Sequence, residues 1–212
     1  IPLLFSATDW LPTIEAIQSR DQDVLGVIAT KKGVDEGNLS ASDLYQMGTI
    51  CRIHRVHQEG DQVQVLLEGL QRFSVRKWIN AKAPFTASIR HYPHRHMDQK
   101  DDQKAYGMAI INAIKELLPL NPLFGEELRV FLARSDVNQP SVLADFSASL
   151  TSAPKEKLQE ILETIPVQQR MEKVLEILHQ EIRIAKAQME IREHVEQEIQ
   201  GHQREAILKE QL

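Results

Sequence analysis

QVQVLLEGLQRFSV, residues 62–75, alternates Val63, Val65 and Leu67 with Gln62, Gln64 and Glu68, the period-two pattern of a strand with one buried face. Leu66 departs from the alternation and predicts partial cover on both faces. Gly69 interrupts the run, and a glycine between two strand-like stretches marks a bulge, a sharp bend or a close backbone approach. Leu70, Phe73, Val75 and Trp78 then resume an extended apolar pattern. Upstream, MGTICRIHRV (Met47 to Val56) places Ile50, Arg52, His54 and Val56 on one side and Thr49, Cys51, Ile53 and Arg55 on the other. QEGD lies between the two runs, and Glu59, Gly60 and Asp61 read as a hairpin turn. Gly69 becomes a structural glycine if its φ is positive, in which case alanine there costs about 1 kcal/mol or more.

Working outward from this hairpin, Val24 to Thr30 (VLGVIAT) is a nearly continuous apolar run, expected of a strand covered on both sides. Trp10, Leu11, Ile14 and Ile17 form one helical stripe, with Thr8 or Asp9 as N-cap and Pro12 in the first turn. Lys31 to Ser42 reads as a surface loop, and Phe85 to Tyr92 as a last strand. HYPHRH, His91 to His96, reads as a polar link.

The hydrophobic period changes to 3.6 from Asp98. Tyr106, Ala109, Ile110, Ala113, Ile114, Leu117 and Leu118 predict an amphipathic helix that stops near Pro119. Asn121 and Pro122 open a second helix through Leu128, Phe131 and Leu132. Val142, Leu143, Phe146 and Leu150 form a third, and Leu158, Ile161 and Leu162 a fourth. Pro166 opens a segment that as one helix would reach roughly 70 Å at 1.5 Å per residue. Met171, Leu175, Leu178, Ile182, Ala185 and Met189 keep heptad spacing along it, after which Ile191, Val195 and Ile199 carry a shifted stripe. The expectation is that the first half packs on the helical subdomain and the second half projects. The fold class is therefore α+β, with a β-rich subdomain over 1–92, a helical bundle over 93–165 and a long helix over 166–212.

The chain has 212 residues, 42% hydrophobic and 26% charged, with a formal net charge of −5. That composition is globular, and the acidic balance disfavours a coat for nucleic acid or an anionic membrane. Cys51, the single cysteine, has no disulfide partner within the chain, which predicts a reducing compartment and a cytoplasmic location. No apolar run approaches the roughly 20 residues of a membrane span. The opening IPLLFS without methionine and the closing REAILKEQL in mid-helix fit a piece cut from a longer protein.

Catalytic motifs are absent from the sequence: it contains no G-x-x-x-x-G-K-[ST], no H-E-x-x-H and no G-x-S-x-G. His91, His94 and His96 sit in a linker without an acidic or cysteine partner at ligand spacing, so neither a metal nor a cofactor is expected. Cys51 lies mid-strand with no base at fixed spacing and reads as a small buried hydrophobe. Arg52, Arg55, Arg72, Arg76 and Lys77 gather near Phe73 and Trp78, a pattern that would suit RNA phosphates and bases. On the acidic whole, nucleic acid is the less favoured partner.

YQMGTICRIHRV (Tyr45 to Val56), VLLEGLQRFSV (Val65 to Val75) and HQREAILKEQL (His202 to Leu212) together resemble the N-terminal domain of the Lon family of ATP-dependent proteases. IPLLFS resembles the tail of that family's first β segment. Ala206 and Ile207, where the family often has aromatics, and the link at His91 to His96 depart from it. The resemblance implies a PUA-like β subdomain, a helical bundle and a long helix leading to an ATPase module outside this chain. It implies a non-catalytic part that recognises unfolded or degron-bearing proteins and supports a homo-hexamer. ATP, Mg and the serine-lysine proteolytic site would belong to the missing modules. Trp78, Phe85 and Tyr92 are the candidate client contacts. Met171, Leu175, Leu178, Ile182, Met189, Val195 and Ile199 are the candidate helix-packing or assembly residues. The alternatives are an oligomerisation arm built on the long helix and a PUA-like RNA-binding module.

Overall fold

The computed structural model describes residues 2–6, 13–17, 23–31, 33, 39–82, 84–93, 101–120 and 139–210, with residues 201–210 described through their backbone. The fold is α+β, in two compact units, Ile1–His96 and Met97–Leu212.

The first unit is an antiparallel sheet of five strands: β1 (Pro2–Ser6), β2 (Val24–Val27), β3 (Met47–Glu59), β4 (Gln62–Asn80) and β5 (Thr86–Tyr92). β3 runs along one edge of β4 for most of its length, while β1 and then β5 share the other edge. Gly60 and Asp61 turn β3 into β4, and Gly60 takes φ 59°, the left-handed conformation that two-residue hairpin turns demand. Residues 13–17 are helical, and Ile14 is buried against the sheet. Val63, Val65 and Leu67 form the centre of the core with Ile14 and Cys51, as their alternation predicts. Each such side chain, fully buried, is worth about 1.5–3 kcal/mol.

Two bulges on the central hairpin alter the predicted faces. His54 is an extra residue between the pairs Ile53↔Leu67 and Arg55↔Leu66. An inserted residue shifts the side-chain phase, so Val56 packs with Cys51 and Ile53 instead of opposite them. Leu70 is the extra residue between Cys51↔Gly69 and Ile50↔Gln71. Beyond it Phe73, paired with Gly48, lies on the sheet face opposite to Leu67, although both positions are odd-numbered.

Leu66 is 41% exposed, so the outer face is not covered there. VLGVIAT forms only the short strand β2 on the sheet margin, with Val24 exposed; it is not a strand covered on both sides. His91 and Tyr92 belong to β5, not to a link. Gly69 lies outside the left-handed region, and a Cβ there would meet Thr49 Cγ2 at 3.4 Å, so the condition for a required glycine is not met. The glycines that packing demands are Gly26 and Gly48, whose absent side chains make room for the Phe73 ring. Trp10, Leu11, His94 and His96 lie outside the described residues.

The second unit contains α1 (Asp101–Leu117), α2 (Pro140–Ser149), α3 (Lys155–Glu163) and α4 (Val167–Glu210). Ile110 and Ile114 of α1, Leu143 and Ala144 of α2, and Met171 and Leu178 of α4 meet in one core. Arg170 of α4 is buried, donates from a terminal guanidinium nitrogen to Ser141 Oγ at 2.7 Å, and lies 3.4 Å from Asp145. Lys186 reaches Glu116 of α1 at 2.6 Å, and Lys173 reaches Glu160 of α3 at 2.6 Å. The buried stripe of α4 includes Val174 and Ile177, which the heptad spacing passes over, while Leu175 is only part-buried. A helix packed on several neighbours buries a wider face than a coiled-coil seam. Burial ends at Ala185: every residue from Lys186 to Gln200 is exposed. Val142 points outward, contrary to its predicted place on the α2 stripe. The helix expected through Leu128, Phe131 and Leu132 lies outside the described residues.

Candidate functional site

The second half of β4 and β5 carry the most exposed large apolar residue of the first unit, Ile79, beside part-buried Trp78 and Phe85. Two further bulges shape this ribbon, at Arg76 between Val75↔Ile89 and Lys77↔Ser88, and at Ile79 between Trp78↔Ala87 and Asn80↔Thr86. The bulge thrusts Ile79 outward, leaving it 70% exposed, a position that alternation alone assigns to a covered face. Trp78 and Phe85 meet edge to face, with ring centroids 5.9 Å apart and planes at 65°, an arrangement aromatic quadrupoles favour. Trp78 Nε1 is buried and has no acceptor among the described residues, which leaves a donor's desolvation uncompensated.

The connection between β4 and β5 is braced locally. Asn80 Nδ2 donates to the Pro84 carbonyl at 3.0 Å, and Ala41 N–H donates to the Ala81 carbonyl at 3.1 Å. Ala41 opens a short 3₁₀ turn whose Asp43 carboxylate accepts from Ser40 N–H at 2.9 Å and from its Oγ at 2.6 Å. These bonds from Ser40 hold the Asp43 carboxyl below its ordinary value.

Of the three predicted contacts, the structure brings Trp78 and Phe85 together and separates Tyr92. Tyr92 pairs with Arg72 on the other face of the ribbon, accepts or donates a 3.3 Å bond with Ser74 Oγ, and lies under the Arg90 guanidinium, 5.3 Å from ring centroid to Cζ. Ile79 was missed because a bulge is a pairing event that the residue pattern of one strand does not record. The basic cluster is also divided. Arg72 is 8% exposed, and Arg52 is engaged by Asp23 at 3.3 Å and Glu68 at 3.6 Å.

In the second unit, Met171, Leu178 and Ile182 are buried in the helical core, with Leu175 packed against it. Met189, Val195 and Ile199 are exposed at 50%, 46% and 51%, and Ile191 at 65%. An open groove between α1 and α4 is lined by Asp102, Ala105, Tyr106, Ala109, Gln168 and Leu175. Tyr106 hydrogen-bonds Glu172, which pushes its phenol up from its ordinary value. Cys51 donates weakly to the Thr49 carbonyl at 3.7 Å, and burial pushes its thiol up. No group of three His, Cys, Asp or Glu side chains suited to a metal occurs among the described residues, and no described helix is long and apolar enough to cross a membrane.

A family model described as the ATP-dependent protease La (LON) substrate-binding domain matches residues 1–180. Lon protease 2 of Hydrogenovibrio crunogenus is 39% identical over 212 residues, covering 100% of this chain and 24% of that protein. Lon protease of Magnetococcus marinus is 37% identical over 215 residues, covering 100% of this chain and 26% of that protein. The chain thus spans about a quarter of the length of these curated relatives. Among solved structures, a Lon N-terminal domain protein from Xanthomonas campestris superposes with TM-score 0.57 at 14% identity, over 82% of this chain and 87% of that one. The N-terminal domain of Mycobacterium avium complex Lon protease gives 0.56 at 18% identity, over 84% and 90%.

Proposed function

We propose, for a chain that belongs to the substrate-binding domain family of ATP-dependent protease La (Lon), that it captures unfolded or degron-bearing proteins through the apolar surface at the far end of its β4–β5 ribbon. The single observation that carries this reading is Ile79, 70% exposed beside the Trp78–Phe85 pair. Ile79 extends the part-buried aromatic pair outward, and broad apolar contact tolerates the varied sequences of unfolded clients. In the parent, an ATP-dependent serine protease working in the cytoplasm, ATP hydrolysis and peptide cleavage would belong to modules outside this chain.

A carboxymethylated, permanently unfolded protein tests the reading by fluorescence anisotropy. The chain is expected to bind it, and Ile79→Asp, at a position 70% exposed, is expected to weaken binding several-fold with little change in the unfolding midpoint. Absence of any affinity for the unfolded protein overturns the proposal.

A second reading has its own observation. The exposed Ile191, Val195 and Ile199 continue an apolar stripe along α4 past the end of the bundle, and two such stripes would pair as helices do in an assembly. This reading makes the helix an assembly arm of a homo-hexamer. RNA binding draws less support, because Arg52 and Arg72, two of its five cations, are respectively ion-paired and buried.

A further inference from the structure

We infer that the outer edge of β5 is a strand-addition site that takes an extended segment of an unfolded polypeptide into the sheet. The inference rests on the client-binding reading above and adds to it the chemistry of capture. β5 bonds to β4 along one edge, and among the described residues no strand pairs with its other edge. A free edge presents a row of backbone N–H and C=O groups whose natural complement is another extended backbone.

The marginal strands of the sheet differ in how they are protected. β2 has 4 residues, and β1 has 5 and starts on Pro2. Shortness and proline are two of the devices by which proteins blunt an edge. β5 runs for 7 residues, TASIRHY, without lysine, proline or an acidic side chain. The neighbouring bulges at Arg76 and Ile79 lie in β4, so β5 itself advances one residue per step and keeps a regular outer row.

Side chains define the segment that fits. One face of β5 carries Ala87 and Ile89, continuous with Trp78 and Val75 across the ladder; the other carries Ser88 and Arg90. A strand laid along this edge sets alternate side chains against each face. Apolar residues suit the first face, and polar or acidic residues suit the second, beside Arg90. Trp78, whose buried Nε1 donor has no acceptor among the described residues, is cross-strand from Ala87, the second residue of β5. The occupant is therefore an alternating apolar and polar segment with an acidic residue, the kind of sequence that a folded client hides in its own sheet.

The first arm of the test leaves the protein unaltered. A short dye-labelled peptide of alternating valine and threonine with one glutamate is titrated with the chain, followed by two analogues N-methylated on one or the other set of alternate residues. Strand addition uses the amides of one set only. One analogue is expected to lose binding by about tenfold or more, while the other, with identical side chains, binds like the parent peptide. Arg90→Glu is expected to shift preference toward a peptide with lysine in place of glutamate. If both analogues bind like the parent, side chains alone make the contact, and the edge assignment falls while client binding stands. If neither the peptides nor the carboxymethylated protein binds, the client reading falls as well. If the amides of residues 86–92 become protected from exchange with rising chain concentration and no peptide binds, the edge belongs to a second copy and the inference is overturned.

Discussion

Alanine at Gly48 and alanine at Gly69 test what the β-sheet asks of a glycine. A Cβ on Gly48 would press on the Val27 carbonyl oxygen and lie 2.7 Å from Ile28 Cγ1 and 3.1 Å from Phe73 Cε1. None of these neighbours yields easily: the carbonyl belongs to β2, and Phe73 is buried with its ring also against Gly26. Overpacking of this kind costs about 1–3 kcal/mol, and more where backbone must move. At Gly69 the nearest atom is the end of the Thr49 side chain at 3.4 Å, and φ lies outside the left-handed region. The methyl group there meets ordinary contact and restricts the unfolded chain, so the net effect is within about 1 kcal/mol of zero. Urea unfolding followed by tryptophan fluorescence separates the two. Trp78 lies in β4, so the change in its emission reports the sheet while far-ultraviolet dichroism is dominated by the helices. Gly48→Ala is expected to lower the midpoint at unchanged slope, and each kcal/mol lowers Tm by about 4–8 °C in a unit of this size. A Gly69→Ala cost equal to or above that of Gly48→Ala, or a Gly48→Ala midpoint equal to the parent's, refutes the reasoning.

Leu178→Ala, in the centre of the helical core, is expected to cost about 2–5 kcal/mol in the dichroism-detected transition and nothing in the fluorescence-detected one if the units unfold independently. Ile191→Asp combined with Val195→Asp is expected to leave both transitions in place and to abolish concentration-dependent self-association in sedimentation, whereas charges at Leu178 and Ile182, which are buried, would unfold the bundle and report nothing about assembly. Glu116 and Glu160 are held below their ordinary value of 4.5 by hydrogen bonds from Lys186 and from Lys173 and Lys157. A depressed folded pKa contributes stability that is present above 4.5 and is lost as pH falls through the folded value; thermal melts in acid are therefore expected to show a declining Tm of the helical unit, and Glu116→Gln is expected to flatten part of that decline. The buried Cys51 thiol, pushed up by burial, is expected to react with an aqueous disulfide reagent only as fast as the sheet opens, so rates in the native chain that match a free thiol would contradict its place in the core.

Much of the architecture was legible from residue pattern. Val63, Val65 and Leu67 announce a buried strand face, Gly60 announces its turn, and Ile110, Ala113, Ile114 and Leu117 announce the buried side of α1. The aromatic pair of the candidate site was legible as apolar residues, since Trp78 and Phe85 stand out in any hydropathy pattern. Their meeting was not, because Phe85 reaches Trp78 only after the chain has turned back from β4 into β5. Ile79 carried no distinguishing signal, and the placing of Tyr92 on the other face of the ribbon from Trp78 follows only from strand pairing.

The sequence by itself determined most of the strands and helices among the described residues, because side-chain period within one element is a local property of the backbone. It also determined the long final helix, whose uninterrupted course from Val167 to Glu210 needs only the absence of internal proline and the one tolerated glycine, Gly201. Tertiary structure decided which face each strand residue occupies, since the bulges at His54, Leu70, Arg76 and Ile79 exist only as mismatches between two paired strands. It decided which glycines are required, since Gly48 is needed for the approach of Val27 and Phe73 from other strands and Gly69 is approached only by a yielding side chain. It decided, too, the residue at which the apolar stripe of α4 stops being core: the change of stripe places that point near Met189, whereas burial ends at Ala185, beside the Lys186–Glu116 contact near the end of α1.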